Sequence, residues 1–135
     1  MPVKMKKELR DKWLKNLRSG EFKQCFDGHL YDYSTGSHCT IGLLCEASPE
    51  FTRITDPSRN RSSCFDVDFE RDGKEISGSV GGQPDPYTDR LFQIDNEHDL
   101  TDVENFLGTV AEMNDEKKMS FEELSDFVEK EVQCL

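Results

Sequence analysis

The block that most constrains the fold lies near the start of the chain: Trp13, Leu17-Arg18-Ser19-Gly20, Phe22 and Gln24, then Cys39-Thr40-Ile41-Gly42-Leu43-Leu44-Cys45. It reads as a helix, a glycine stop, a strand-and-turn segment and a second helix entered through a cysteine. Met5, Leu9, Trp13 and Leu17 form one stripe on a 3.6-residue period, so the spacing predicts a first helix over about Lys4–Ser19, anchored by Trp13. Lysines and arginines fill its other face, and Gly20 supplies the left-handed stop. Leu30-Tyr31-Asp32-Tyr33 has strand character and Ser34-Thr35-Gly36-Ser37 is turn chemistry. A short apolar helix through Ile41, Leu44 and Cys45 then closes at Ser48-Pro49.

Phe65, Val67 and Phe69 alternate with acidic residues, the period of a half-buried strand. Asp72-Gly73 offers a hairpin turn, because glycine tolerates positive φ, and Glu75–Val80 is the return strand. Gly81-Gly82-Gln83-Pro84-Asp85-Pro86 cannot continue a ladder, and Leu91–Ile94 is expected as a third strand. The last segment reads as an αα-hairpin, with Leu100, Val103, Leu107 and Val110 on one helix and Phe121, Leu124, Val128 and Val132 on the next. Ser120 and Glu123 have capping-box spacing, and Met119 and Leu124 occupy the staple positions. The expectation is an α+β fold: three to four helices packed on a small, mainly antiparallel sheet. Leu, Ile, Val and Phe make 31 of 135 residues, enough for one core, so residues 1–135 are read as a single domain.

Net charge is −11 and unevenly spread. Residues 1–23 hold eight Lys/Arg against three Asp/Glu, whereas residues 95–135 hold 13 Asp/Glu against three Lys/Arg. Such a surface repels phosphate backbones and disfavours broad nucleic-acid binding. It is either a solvated face or a patch that occupies a basic groove on another protein, with Glu97, Asp99, Asp102 and Glu104 as candidate contacts. Five cysteines, an odd number without C-x-x-C spacing, suggest a reduced cytoplasmic protein. The first residues carry charge without an apolar signal core, and no apolar stretch is long enough to span a bilayer.

No catalytic set is complete. His38-Cys39 at a helix start is the one arrangement that suggests a nucleophile, since a helix N-terminus and an imidazolium both lower a thiol pKa. Packing around Ile41-Gly42-Leu43-Leu44 explains Cys39 and Cys45 without chemistry. His29, His38, Cys39 and Cys64 lack the close ligand pairs of a structural zinc site, so neither metal nor cofactor is expected. Residues 112–123 fail as a calcium loop, because Lys117 stands where the sharp turn needs glycine. Ser77-Gly78-Ser79-Val80-Gly81-Gly82 lacks both the G-K-[ST] ending of a phosphate loop and the G-x-S-x-G of a nucleophile elbow. Arg53, Arg59 and Arg61 concentrate positive charge, either as a solvated loop or as a clamp on an anionic ligand. His29, Tyr31, Tyr33 and His38 are candidate stacking surfaces beside that clamp.

The N-terminal block is similar to the pattern W-x3-L-R-S-G-x-[YF]-x-Q followed by C-C-L-G-V-L-C in a family of small phage and prophage proteins. The likeness returns at Met113-Asn114-Asp115 and at Ser120-Phe121-Glu122-Glu123-Leu124-Ser125-Asp126-Phe127-Val128-Glu129, which resemble L-N-D…S-F-x-E-I-A-D-x-I-E. Where that pattern has two successive cysteines this chain has Cys39-Thr40, so a role requiring both thiols does not carry over. The incomplete catalytic sets imply a non-enzymatic binding protein, and the resemblance implies a phage-encoded accessory protein acting against host machinery in the cytoplasm of an infected bacterium. It would bind and inhibit a host component, as a counter-defence protein acting on a host immune protein. Two alternatives stand beside that reading: a sponge for an immune signalling nucleotide, and a cysteine hydrolase using Cys39. Expected partners are thus a host protein or a small anionic ligand, and the oligomeric state stays open.

Overall fold

The computed structural model describes residues 2–28, 30–32, 34–49, 51–53, 67–71, 74–77 and 88–135, with the strands at 52–53, 67–71 and 74–77 described through their backbone pairing. The chain opens on a strand, β1 (Val3–Met5), rather than on the expected helix. Val3 and Met5 are buried around exposed Lys4, the two-residue alternation of a strand. Helix α1 begins only at Lys7 and runs to Arg18. Met5 therefore belongs to the core but not to the helical stripe, of which Trp13 and Leu17 are buried and Leu9 is half-buried. Gly20 has φ +74°, the left-handed stop that its position predicts.

Strands β2 (Lys23–Gln24), β3 (Tyr31–Asp32) and β4 (Ser37–His38) make a small mixed sheet in which β4 is central, parallel to β2 and antiparallel to β3. Helix α2 (Thr40–Ala47) follows at once and is buried on nearly every side. Gly42 explains how it sits so close: a Cβ there would lie 1.9 Å from the Leu30 carbonyl oxygen just before β3. That oxygen accepts from the Cys39 amide at 3.3 Å. Any side chain at 42 would force α2 away from the sheet.

Strands β5 (Thr52–Arg53), β6 (Val67–Arg71) and β7 (Lys74–Ser77) form an antiparallel sheet, with Arg71 opposite Lys74 as the hairpin reading requires. Phe65, Asp72-Gly73, the end of the expected return strand at 78–80 and the expected loop at 81–86 lie outside the described residues. The expected third strand is not one: residues 88–91 form a short helix, α3 (Thr88–Leu91). Leu91 and the following Phe92 are both buried, so adjacent side chains share the core instead of alternating. The Gln93 amide donates to the Lys4 carbonyl at 2.8 Å, which ties this segment to β1.

Helices α4 (Glu97–Asp115) and α5 (Phe121–Glu131) are the αα-hairpin. Both arms of the capping box are present at Ser120 and Glu123. Val132 is buried but has left the helix, because β8 (Val132–Cys134) pairs in parallel with β1, Val3 opposite Val132 and Met5 opposite Cys134. Phe106 organises the aromatic core: Trp13 and Phe92 meet it edge-on at 6.2 and 6.0 Å, and Phe127 stacks on it at 5.9 Å. The result is an α+β fold whose pairings are mainly antiparallel but divided among separate small sheets. No helix among the described residues is long and apolar enough to cross a membrane.

Candidate functional site

The conspicuous sequence segments converge, and mostly on one another. Asn114, 1% exposed near the end of α4, accepts at Oδ1 from Gln24 Nε2 at 2.9 Å, Thr40 Oγ1 at 2.8 Å and the Thr40 amide at 3.2 Å. Its Nδ2 donates to the Cys25 carbonyl and to Asp115 Oδ1 at 2.8 and 2.7 Å. Three donors on one side and two acceptors on the other fix the amide's orientation. Gln24 also reaches the Met119 carbonyl, and Trp13 Nε1 donates to the Thr40 carbonyl at 3.0 Å. Arg18 bridges α1 to α5 through Ser125 Oγ and Glu129. Arg10 donates to the carbonyls of Glu129 and Val132, where α5 ends. The buried centre of this network, Asn114 with Thr40 and the Cys25 carbonyl, positions backbone.

The nucleophile candidate sits in the same interior. Cys39 caps α2, its Sγ accepting from the Gly42 amide at 3.3 Å. Burial pushes its thiol up to about 12, outweighing the opposing Gly42 hydrogen bond. The helix terminus therefore does not make it a thiolate at neutral pH, contrary to the expectation from its position. His38 turns its Nε2 to Glu46 Oε2 at 3.1 Å. Cys25 is likewise buried and its thiol pushed up by desolvation.

Of the anion-clamp residues, Arg59, Arg61, Tyr33 and His29 lie outside the described residues, and Arg53 is described only as a strand position in β5. Tyr31 and His38 are brought together, their rings 4.9 Å apart. At 1% exposure, with Phe22 edge-on at 5.3 Å, His38 is a core side chain and offers no open stacking face. No group of three or more metal-ligating side chains occurs among the described residues.

The four acidic candidates do not form one face. At 100° per residue, Glu97 and Glu104 fall on one flank of α4's buried stripe and Asp102 on the other, whereas Asp99, half-buried, falls within the stripe's own angular range. Asp99 and Asp102 have local work. Asp99 Oδ2 accepts from the Asp95 amide at 3.0 Å in the N-terminal turn, and Asp102 lies 3.4 Å from His98. The first flank continues through Gly108 and Ala111 to Glu112, Asp115 and Glu116, which line a shallow trough of about 420 Å³. A Cβ at Gly108 would meet nothing within 4 Å, so its floor is open. Burial, with Asp27 adding repulsion, holds the Asp115 carboxyl above the usual carboxylate range despite the Asn114 hydrogen bond. Sequence reading missed the trough because its floor is made of residues without chemistry. The available signal was glycine in the middle of an otherwise strong helix.

A family model described as a domain of unknown function, DUF8296, matches residues 5–132. No curated protein and no solved structure matches the chain.

Proposed function

The chain belongs to the DUF8296 family, and we propose that it is a phage-encoded, non-enzymatic accessory protein that binds and inhibits a host protein, a counter-defence role. The observation that carries the reading is the acidic trough on α4, where Glu112, Asp115 and Glu116 border a floor of Gly108 and Ala111, with Glu104 one helical turn before Gly108. Carboxylates around an open, small-residue floor fit basic side chains of a partner, with the charge setting encounter rate and register. The non-enzymatic part is supported by Cys39, whose thiol is buried and protonated at neutral pH.

The experiment is capture of a binding protein from bacterial lysate, followed by association kinetics with the purified pair. Neutralising Glu104, Glu112 and Glu116 to glutamine should slow association, and added salt should reproduce that loss. Neutralising Asp102, on the opposite flank, should change it far less. An association rate indifferent to the first set and to salt would rule the trough out.

A further inference from the structure

We propose that the cleft between the first turns of α1, the end of α2 and α3 binds a small phosphorylated molecule. Three cations converge there, Lys6, Lys12 and Arg90, around a volume of about 260 Å³. Other cations of α1 are engaged elsewhere: Lys7 with Asp11, Arg10 with the end of α5, and Arg18 with Ser125 and Glu129. Lys6 and Lys12 have no ion pair among the described residues. Glu8, one turn before Lys12, lines the same cleft without pairing with it. Gathering cations in a concavity raises their mutual repulsion, and a bound anion reverses that cost.

Shape and chemistry select the ligand. Leu9, Ala47 and Pro49 give the cleft an apolar wall, so it can hold a compact body as well as a charge. Lys6 and Arg90 also border a neighbouring cleft of about 300 Å³ that is lined by Phe92 and Leu135. Lys6 and Arg90 thus stand on the ridge between the two clefts, the second of which also holds Asp89. A phosphate monoester, carrying nearly two charges at neutral pH, matches the two lysine point charges, with Arg90, 4.0 Å from Asp89 Oδ1, at the border of the cleft. The cleft is distinct in charge and location from the acidic trough, so it stands or falls on its own.

Isothermal titration of the full chain with AMP, inorganic phosphate and adenosine tests the assignment. AMP should bind more tightly than phosphate, and adenosine should not bind. The double substitution K6E/K12E should weaken AMP at least tenfold, as should added salt. Both lysines are exposed, so the variant should keep its fold, with at most a small loss of stability to the new Glu8 repulsion at position 12. The parallel pair Lys6→Gln and Lys12→Gln, measured singly, guards against a folding artefact and should give intermediate losses. Equal affinity for AMP and phosphate, or for AMP and adenosine, overturns the proposal. So does an AMP affinity that K6E/K12E leaves unchanged, or no AMP binding at about 1 mM.

Discussion

Thr40 Oγ1 donates to Asn114 Oδ1 at 2.8 Å, so the first turn of α2 is held by a residue 74 positions later near the end of α4. Asn114→Ala strands the Thr40 amide and hydroxyl and the Cys25 carbonyl in a dry interior, at about 1–3 kcal/mol for each buried group left unpaired. Partial relaxation should leave a net loss of about 3–5 kcal/mol in denaturant unfolding. A loss under about 1 kcal/mol would mean that water replaces the amide, making this network an open site.

Two helical glycines should respond with opposite sign. An added methyl at Gly108 meets nothing, so Gly108→Ala should gain up to about 1 kcal/mol from helix propensity. At Gly42 the same methyl runs into the Leu30 carbonyl oxygen, and Gly42→Ala should cost at least about 3 kcal/mol or prevent folding. Thermal melts of the two variants decide it. If Gly108→Ala is stable but loses the captured partner, the trough floor is the contact.

Alkylation of the native protein at pH 7, mapped by mass spectrometry, should modify exposed Cys134 readily. Cys25, Cys39 and Cys45 are buried and should react only on unfolding. Rapid labelling of Cys39 would instead revive a nucleophilic role.

Asp115 gives a pH test with a definite sign. Its folded-state pKa is raised, so the ionised form is penalised by folding above that pKa, and the penalty is relieved as pH falls through it. Asp115→Asn keeps an oxygen for Asn114 Nδ2 and removes the charge. The variant should therefore melt above wild type at neutral pH, with the gap closing toward pH 4. A gap independent of pH would remove the charge from the explanation.

What could be read from the sequence was local. The capping box needs only Ser120 and Glu123, and the stop at Gly20 needs one residue and its φ. The parallel pairing of β1 and β8 has no such signature, because each strand is only three residues long and its partner is at the other end of the chain. Leu91-Phe92 deceived through composition, since apolar and aromatic residues suit a strand and a buried turn alike. Asn114 was legible in principle: Val103, Leu107 and Val110 set a stripe that it continues by four residues, a polar group at a core position. The acidic candidates were named from charge density, which does not distinguish the two flanks of a helix.

The pairing of Val3 with Val132 also fixes when the molecule can be finished. During synthesis α1 emerges more than a hundred residues before its Arg10 and Arg18 partners on α5 and before the neighbour strand of β1. Until those residues are made, nascent chains carry the parts of β1 and α1 that face β8 and α5 without their partners. The basic amino-terminal segment travels with those faces, and its charge helps keep the unfinished chain soluble until β8 arrives.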